Sequence, residues 1–239
     1  MNDPREHIRP SPKLHASGYI RMVTVTVFLA GEAAVFFLAA GRLDIPRAWL
    51  YFALNVLQLA VNFVLFMKKS PEIINQRGKV GPGIRLFDKI LMSLYTPMPF
   101  VIFLVAGLDV GRNGGPRLGI SSLVLGLALL IGSAVLVAWA MVSNPYFETT
   151  VRIQDERGHR VAMDGPYRYV RHPGYVGFIL TWLAPPLVIG SAYALIPAAV
   201  ITVIIVLRTH FEDTILRREL EGYADYAQKT RYRLLPPVW

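Results

Sequence analysis

Apolar residues run along this chain in blocks longer than the core elements of a soluble domain. Six blocks stand out, at residues 19–40, 49–67, 90–108, 118–142, 174–190 and 192–207. A helix that crosses a bilayer needs about 20 mostly apolar residues, with about 17 as a lower bound. The pattern therefore predicts six transmembrane helices. The last two are short and meet at Gly190-Ser191, which predicts a tight helical hairpin. Pro185, Pro186 and Pro197 are expected to bend it, because each proline removes a helix donor. Beyond it, Phe211, Ile215, Leu216, Leu220, Tyr223 and Ala227 fall at helical spacing among polar residues. That spacing predicts an amphipathic helix at the membrane surface. The expected fold is an all-α integral membrane protein of about six crossings. It ends in a helical hairpin, a polar loop before it and an amphipathic helix after it.

The charged positions orient this plan. Of the 25 Lys and Arg residues, 21 fall on one side of a six-crossing chain: in the N-terminus, the second loop, the fourth loop and the C-terminus. Only Arg42, Arg47, Arg112 and Arg117 fall on the other. Cytoplasmic segments carry the excess of Lys and Arg, so both termini and the two long polar loops are expected in the cytoplasm. The expected membrane is a bacterial plasma membrane. A five-crossing alternative, with a re-entrant last hairpin, would place the C-terminal arginines outside. Residues 1–17 are polar and Pro-broken, without the apolar centre or cleavage site of a signal peptide.

Composition narrows the class. Only 17% of residues are charged and 54% are hydrophobic, against about 25% charged in soluble domains. The net charge of +9 follows the loops and forms no basic face, which excludes a nucleic-acid-binding module. Disordered and fibrous classes are excluded too. With no cysteine there is no disulfide, thiolate metal site, cysteine nucleophile or palmitoyl anchor, and no metal is expected. Repeats and low-complexity tracts are absent. The chain divides by character within one membrane domain. Residues 1–143 form four helices with little chemistry in their loops, and residues 144–239 hold nearly all the distinctive polar motifs.

Two polar features lie inside the apolar blocks. Glu32 is an ionisable group at membrane depth, costly there and a functional candidate by default. The bland reading makes it neutral or hydrogen-bonded to a neighbouring helix. Asn55, Gln58 and Asn62 share one helix face. They serve either interhelical hydrogen bonding or a substrate cavity.

The fourth loop gathers more. Arg157-Gly158-His159 reads as a turn between two apolar/polar alternations, 150–154 and 159–163, which predicts a short β-like hairpin. Pro173 opens the fifth helix, where its missing donor costs nothing. That helix start offers free N–H groups and a positive dipole end, and Arg171 and His172 flank it, so it suits an anion. Gly174 and Gly177 leave room for close approach to the backbone. The bland reading makes Arg168, Arg171 and His172 headgroup anchors. Arg208 and Glu212 sit four apart on one helix face, as an ordinary ion pair or, with Arg208 at the apolar–polar boundary, as part of a site for an acidic substrate group.

At these residues the chain resembles a known family. Gly165-Pro-Tyr-x3-Arg171-His172-Pro173-x-Tyr175-x-Gly177, followed by Arg208-x3-Glu212-x3-Leu216 and a Tyr-x2-Tyr ending, is similar to the isoprenylcysteine carboxyl methyltransferase family. These are membrane enzymes that use S-adenosylmethionine and are related to phospholipid methyltransferases. The likeness covers about residues 144–239 and leaves the first four helices unmatched. It implies cofactor contacts at Gln154, at the strand His159, Arg160, Val161 and Ala162, at Tyr167, and at Arg171, His172, Pro173, Gly174 and Tyr175. It also implies that Glu212 closes the cofactor pocket and that Arg208 holds the methyl acceptor, the two forming the catalytic pair. Two departures are visible: Asp213 stands where a second Glu is usual, and the Leu220 to Tyr223 region is about one residue short.

The implied activity is methyl transfer to a lipophilic or carboxylate-bearing acceptor, such as a prenylated one, reached from the membrane lipid. A carboxylate needs no general base, and neither a Ser-His-Asp set nor a His-Glu-x-x-His motif is present. Rival readings are a thiol, phospholipid amine or quinone-like acceptor, an NADPH-dependent lipid reductase, or a non-catalytic scaffold or channel. The absence of a charged ring in the spans argues against a pore.

Overall fold

The computed structural model describes residues 13–69, 71–79, 83–113 and 118–239. These form α1 (Ala16–Ala40), α2 (Pro46–Lys69), α3 (Pro71–Arg77), α4 (Leu86–Tyr95), α5 (Met98–Leu108), α6 (Ile120–Ser143), α7 (Pro173–Ile189), α8 (Leu195–Glu219) and α9 (Tyr223–Lys229). A π-helical turn, Asp109–Asn113, extends α5. No strand occurs among the described residues. Arg5, Arg9 and Arg117 of the charge pattern lie outside them.

Five runs are long and apolar enough to cross a bilayer: α1, α2, Leu86–Arg112, α6 and α8. The shorter apolar α7 packs beside them. Val23, Val27, Leu38, Val61, Val124 and Val135 point outward and are each more than half exposed. Such a continuous apolar coat is far larger than a soluble monomer tolerates. The chain is an all-α, multi-pass membrane protein.

Its loops gather at two opposite ends. At one, Arg47 in the first turn of α2 donates to the carbonyls of Leu118 and Gly119, both at 2.8 Å. There the Leu118 N–H donates to Gly190 at 3.0 Å, and Ser191 donates to Asp109 at 2.5 Å. At the other end, Asp88 of α4 accepts from the Val151 N–H of the fourth loop at 2.8 Å. α7 therefore starts at one end and finishes at the other. Its 17 residues span about 26 Å at 1.5 Å per residue.

Several expectations need correction. The block at 90–108 falls within one candidate span, as expected, but it is interrupted between α4 and α5, because Pro97 and Pro99 lack the donors that would continue α4. Pro197 lies in the first turn of α8 and does not interrupt it. α8 runs unbroken for 25 residues, so the sixth span and the first half of the amphipathic stretch are one rod. It stops at Leu220, and Gly222 turns the chain at φ 79° before α9 begins. Leu220, Tyr223 and Ala227 are buried against Tyr167 and Ala140 and do not face lipid. The alternations at 150–154 and 159–163 do not pair as strands. Between them lies a 3₁₀ turn, Asp155–Arg157, closed by Gly158 at φ 60°.

Candidate active site

The site is built where α6 gives way to the fourth loop. Asn144 leaves the helix in an extended conformation. Its side chain accepts from the Tyr146 N–H at 2.9 Å and donates to the Tyr167 hydroxyl at 3.2 Å. Buried Arg152 makes a two-toothed pair with Glu148, at 2.9 and 3.0 Å. Gln154, 2% exposed, donates to the Tyr146 carbonyl at 2.8 Å and accepts from Arg157. The His159 ring lies 4.5 Å from the Tyr146 ring. Burial, and then the nearby Arg157 charge, hold the His159 imidazole down to about 4, so the ring is neutral at pH 7. Side-chain bonds thus do the work a β-ladder would have done.

The next wall is the 3₁₀ turn Gly165–Arg168. Gly165 adopts φ 60°, and a Cβ there would meet Ser143 Oγ at 2.3 Å, so only glycine fits. Buried Tyr167 points under α6, and its carbonyl accepts from the Tyr226 hydroxyl at 2.7 Å. Desolvation pushes the Tyr226 phenol up to about 12 and holds both as neutral hydrogen-bonding groups.

At the start of α7 the structure supplies its own anion. Asp213 of α8 is fully buried. Arg171 donates to it at 2.6 and 3.2 Å. Tyr223 and Arg233 add donors at 2.9 Å each, and Arg217 adds one at 3.1 Å. His172 Nε2 lies 3.3 Å away. The Arg171 and His172 N–H groups donate to the carbonyls of Tyr232 and Arg233 at 2.9 and 3.0 Å. Arg171 and His172 are therefore the clamp that joins α7, α8 and the C-terminal segment. The glycines here admit protein, not open space. A Cβ at Gly174 would meet the Phe147 ring at 2.3 Å, and one at Gly177 would meet Val137 at 2.4 Å.

Together these parts enclose a cleft of about 870 Å³, counting the space open to the outside. Gln154, His159, Arg160, Val161, Ala162, Tyr167, Arg171, His172, Gly174, Tyr175 and Glu212 all line it. Pro173 is buried at the first position of α7 and is not on that wall. Glu212 accepts a hydrogen bond from the Tyr175 hydroxyl.

Arg208 lies elsewhere. It lines a second, larger cavity of about 1650 Å³ on the same measure, set among α1, α2, α4, α7 and α8. Its guanidinium donates to Asp88 at 2.7 Å and to the Thr149 carbonyl at 2.7 Å, and it lies 5.4 Å from the Tyr175 ring centre. The expected Arg208–Glu212 ion pair does not form, because each side chain has a different partner. Glu32, Asn55, Gln58 and Asn62 line this second cavity. Glu148, Tyr175 and Phe178 border both spaces, so the two cavities share a wall.

Sequence reasoning missed Asp88, Glu148, Asp213 as a hub, and Arg77. Their signals were faint: acids in mostly basic loops, and an Asp where a Glu was expected. No curated protein matches this chain. Residues 124–218, which carry most of α6, the fourth loop, α7 and α8 to Arg218, match the model of the isoprenylcysteine carboxyl methyltransferase (ICMT) family, so this part of the chain is similar to those membrane methyltransferases.

Proposed function

We propose that this protein transfers a methyl group from S-adenosylmethionine to a carboxylate on a lipophilic acceptor. The observation that carries the reading is the shared wall: a polar cleft and a membrane-embedded cavity meet at Glu148, Tyr175 and Phe178. A polar cofactor and a lipid-like acceptor need two such spaces in contact.

The cleft fits the cofactor's chemistry. Glu212 supplies a carboxylate for its cationic part. Arg160 has no ion-pair partner among the described residues and is suited to its carboxylate. Val161, Ala162, Ile215 and Leu216 offer apolar surface for the base. Held by Glu212 and Arg160, the cofactor would supply an electrophilic methyl group to the acceptor oxygen. A carboxylate acceptor would need no proton removed, so the protein need supply no general base.

The protein's own part is positioning. Tyr175, tied to Glu212 and facing Arg208, orients the dividing wall. Holding two reactants near attack distance is worth about 7–11 kcal/mol in favourable cases. The Arg- and Lys-rich end, with the cleft, faces the cytoplasm in this reading, and the acceptor enters sideways from the bilayer. The test is incubation of purified protein with trideuteromethyl-labelled cofactor and a lipid extract, followed by mass spectrometry. A labelled, ester-bearing lipid is the expected product. Failure of calorimetry to detect cofactor binding overturns the reading.

A further inference from the structure

The membrane-embedded cavity holds two cations that the bundle does not neutralise. Arg21 of α1 and Arg77 of α3 both line it. Among the described residues neither has a carboxylate within ion-pair distance. Arg77 Nη1 is buried and has no hydrogen-bond partner. The two guanidinium groups lie close enough to repel each other. Arg208, by contrast, is already committed to Asp88 and the Thr149 carbonyl. A buried like-charge pair with an unfilled donor is costly, and the cost falls when an anion bridges it.

Two further observations place that anion. The Arg77 guanidinium lies 5.2 Å from the Phe147 ring centre, and Phe147 lines the cofactor cleft. Arg77 is thus at the junction of the two spaces. At the other end, Glu32 is 7% exposed and makes no hydrogen bond or ion pair among the described residues. It follows Arg21 by three helical turns, about 16 Å deeper along α1. An acid there offers an anionic group no opposite charge, whereas the arginine end does.

On the reading that this cavity takes the acceptor, we propose that Arg77, supported by Arg21, grips the acceptor's anionic group. Arg208 is then a positioning residue behind Tyr175. The ligand class is an amphipathic acid, anion at the arginine end and tail toward Glu32. Methylation removes the charge that the pair holds, so the ester product loses its strongest contact and leaves.

Hexadecanoic acid brominated in its chain serves as the probe, with its methyl ester as the neutral twin. Bromine quenches tryptophan on contact, and Trp182 lines the cavity. The signal is taken as the difference from Trp182→Phe, in detergent and without cofactor. Wild type is expected to bind the acid about tenfold more tightly than the ester. Arg77→Gln brings the two affinities together, whereas Arg77→Lys, which keeps the charge, retains part of the preference. If Arg77→Gln fails to fold, Arg21→Gln carries the same expectation from the adjoining helix α1. Equal binding of acid and ester by wild type overturns the proposal, as does a preference that survives Arg77→Gln. Because no cofactor is present, this outcome is separate from cofactor binding, whose loss would overturn the methyl-transfer reading instead.

Discussion

Arg208 of α8 donates to Asp88 of α4 across 2.7 Å, joining residues 120 positions apart in the chain. Asp88 is fully buried, and its second oxygen accepts from the Val151 N–H at 2.8 Å. One carboxylate therefore ties α4, the fourth loop and α8 together under the shared wall. Asp88→Asn is expected to leave the Arg208 charge unpaired and to lower stability by about 3–5 kcal/mol, as when one partner of a buried pair is removed. Thermal unfolding in detergent measures this. An unchanged midpoint would show that the pair is dispensable.

Asp213→Asn tests the second hub. The amide keeps the volume but leaves Arg171, Arg217 and Arg233 facing no negative charge. Because Arg171 also donates to the Thr230 and Arg231 carbonyls at 2.8 and 2.6 Å, the C-terminal segment should loosen. Limited proteolysis is expected to cut near residues 230–239 sooner than in wild type.

Glu212→Gln separates binding from folding. The amide oxygen still accepts from the Tyr175 hydroxyl, so the unfolding midpoint should stay near wild type. Cofactor affinity should fall by about tenfold or more, because a charge-assisted contact is lost. Calorimetry reads both the affinity and the heat. Equal affinity would remove Glu212 from the cofactor site.

Gly174→Ala places a methyl 2.3 Å from the Phe147 ring. The ring must swing away, at a cost of about 1–3 kcal/mol for an overpacked site. Since Phe147 lines the cleft, cofactor binding should weaken together with stability. Phe147→Leu in the same chain should recover part of the stability.

The pH response of the fourth loop follows from His159. Its folded value, about 4, is below the unfolded 6.5, with burial the main cause. Between those values the unfolded chain binds the extra proton, so unfolding gains and stability falls as pH drops. Above about 6.5 the group contributes no slope. The wild-type unfolding midpoint minus that of His159→Gln should be flat from pH 8 to 7 and decline from pH 6.5 toward 4. A flat difference across the lower window would mean that the ring is not buried as described.

Much of the molecule was legible in one dimension. Apolar blocks longer than a soluble helix needs, and charges collected in alternate loops, determined an all-α bundle and the end that carries the polar chemistry. Lipid solvation is a local requirement, so it writes itself into local sequence. The Gly165 to Gly177 motif likewise marked the cleft, because a positive φ and close approaches at Gly165 and Gly174 restrict residue type wherever they occur. Tertiary structure alone decided which charges are free. Arg171 and Arg208 looked available in the chain, yet Asp213 and Asp88, 42 and 120 residues away, consume them. Arg21 and Arg77 looked like ordinary loop-edge cations, yet they face one cavity with no carboxylate within ion-pair distance among the described residues. In the first expected strand, the Val151 N–H likewise found the Asp88 carboxylate of α4, 63 residues away. Pairing across long chain separations depends on which helices become neighbours, and no local pattern encodes that.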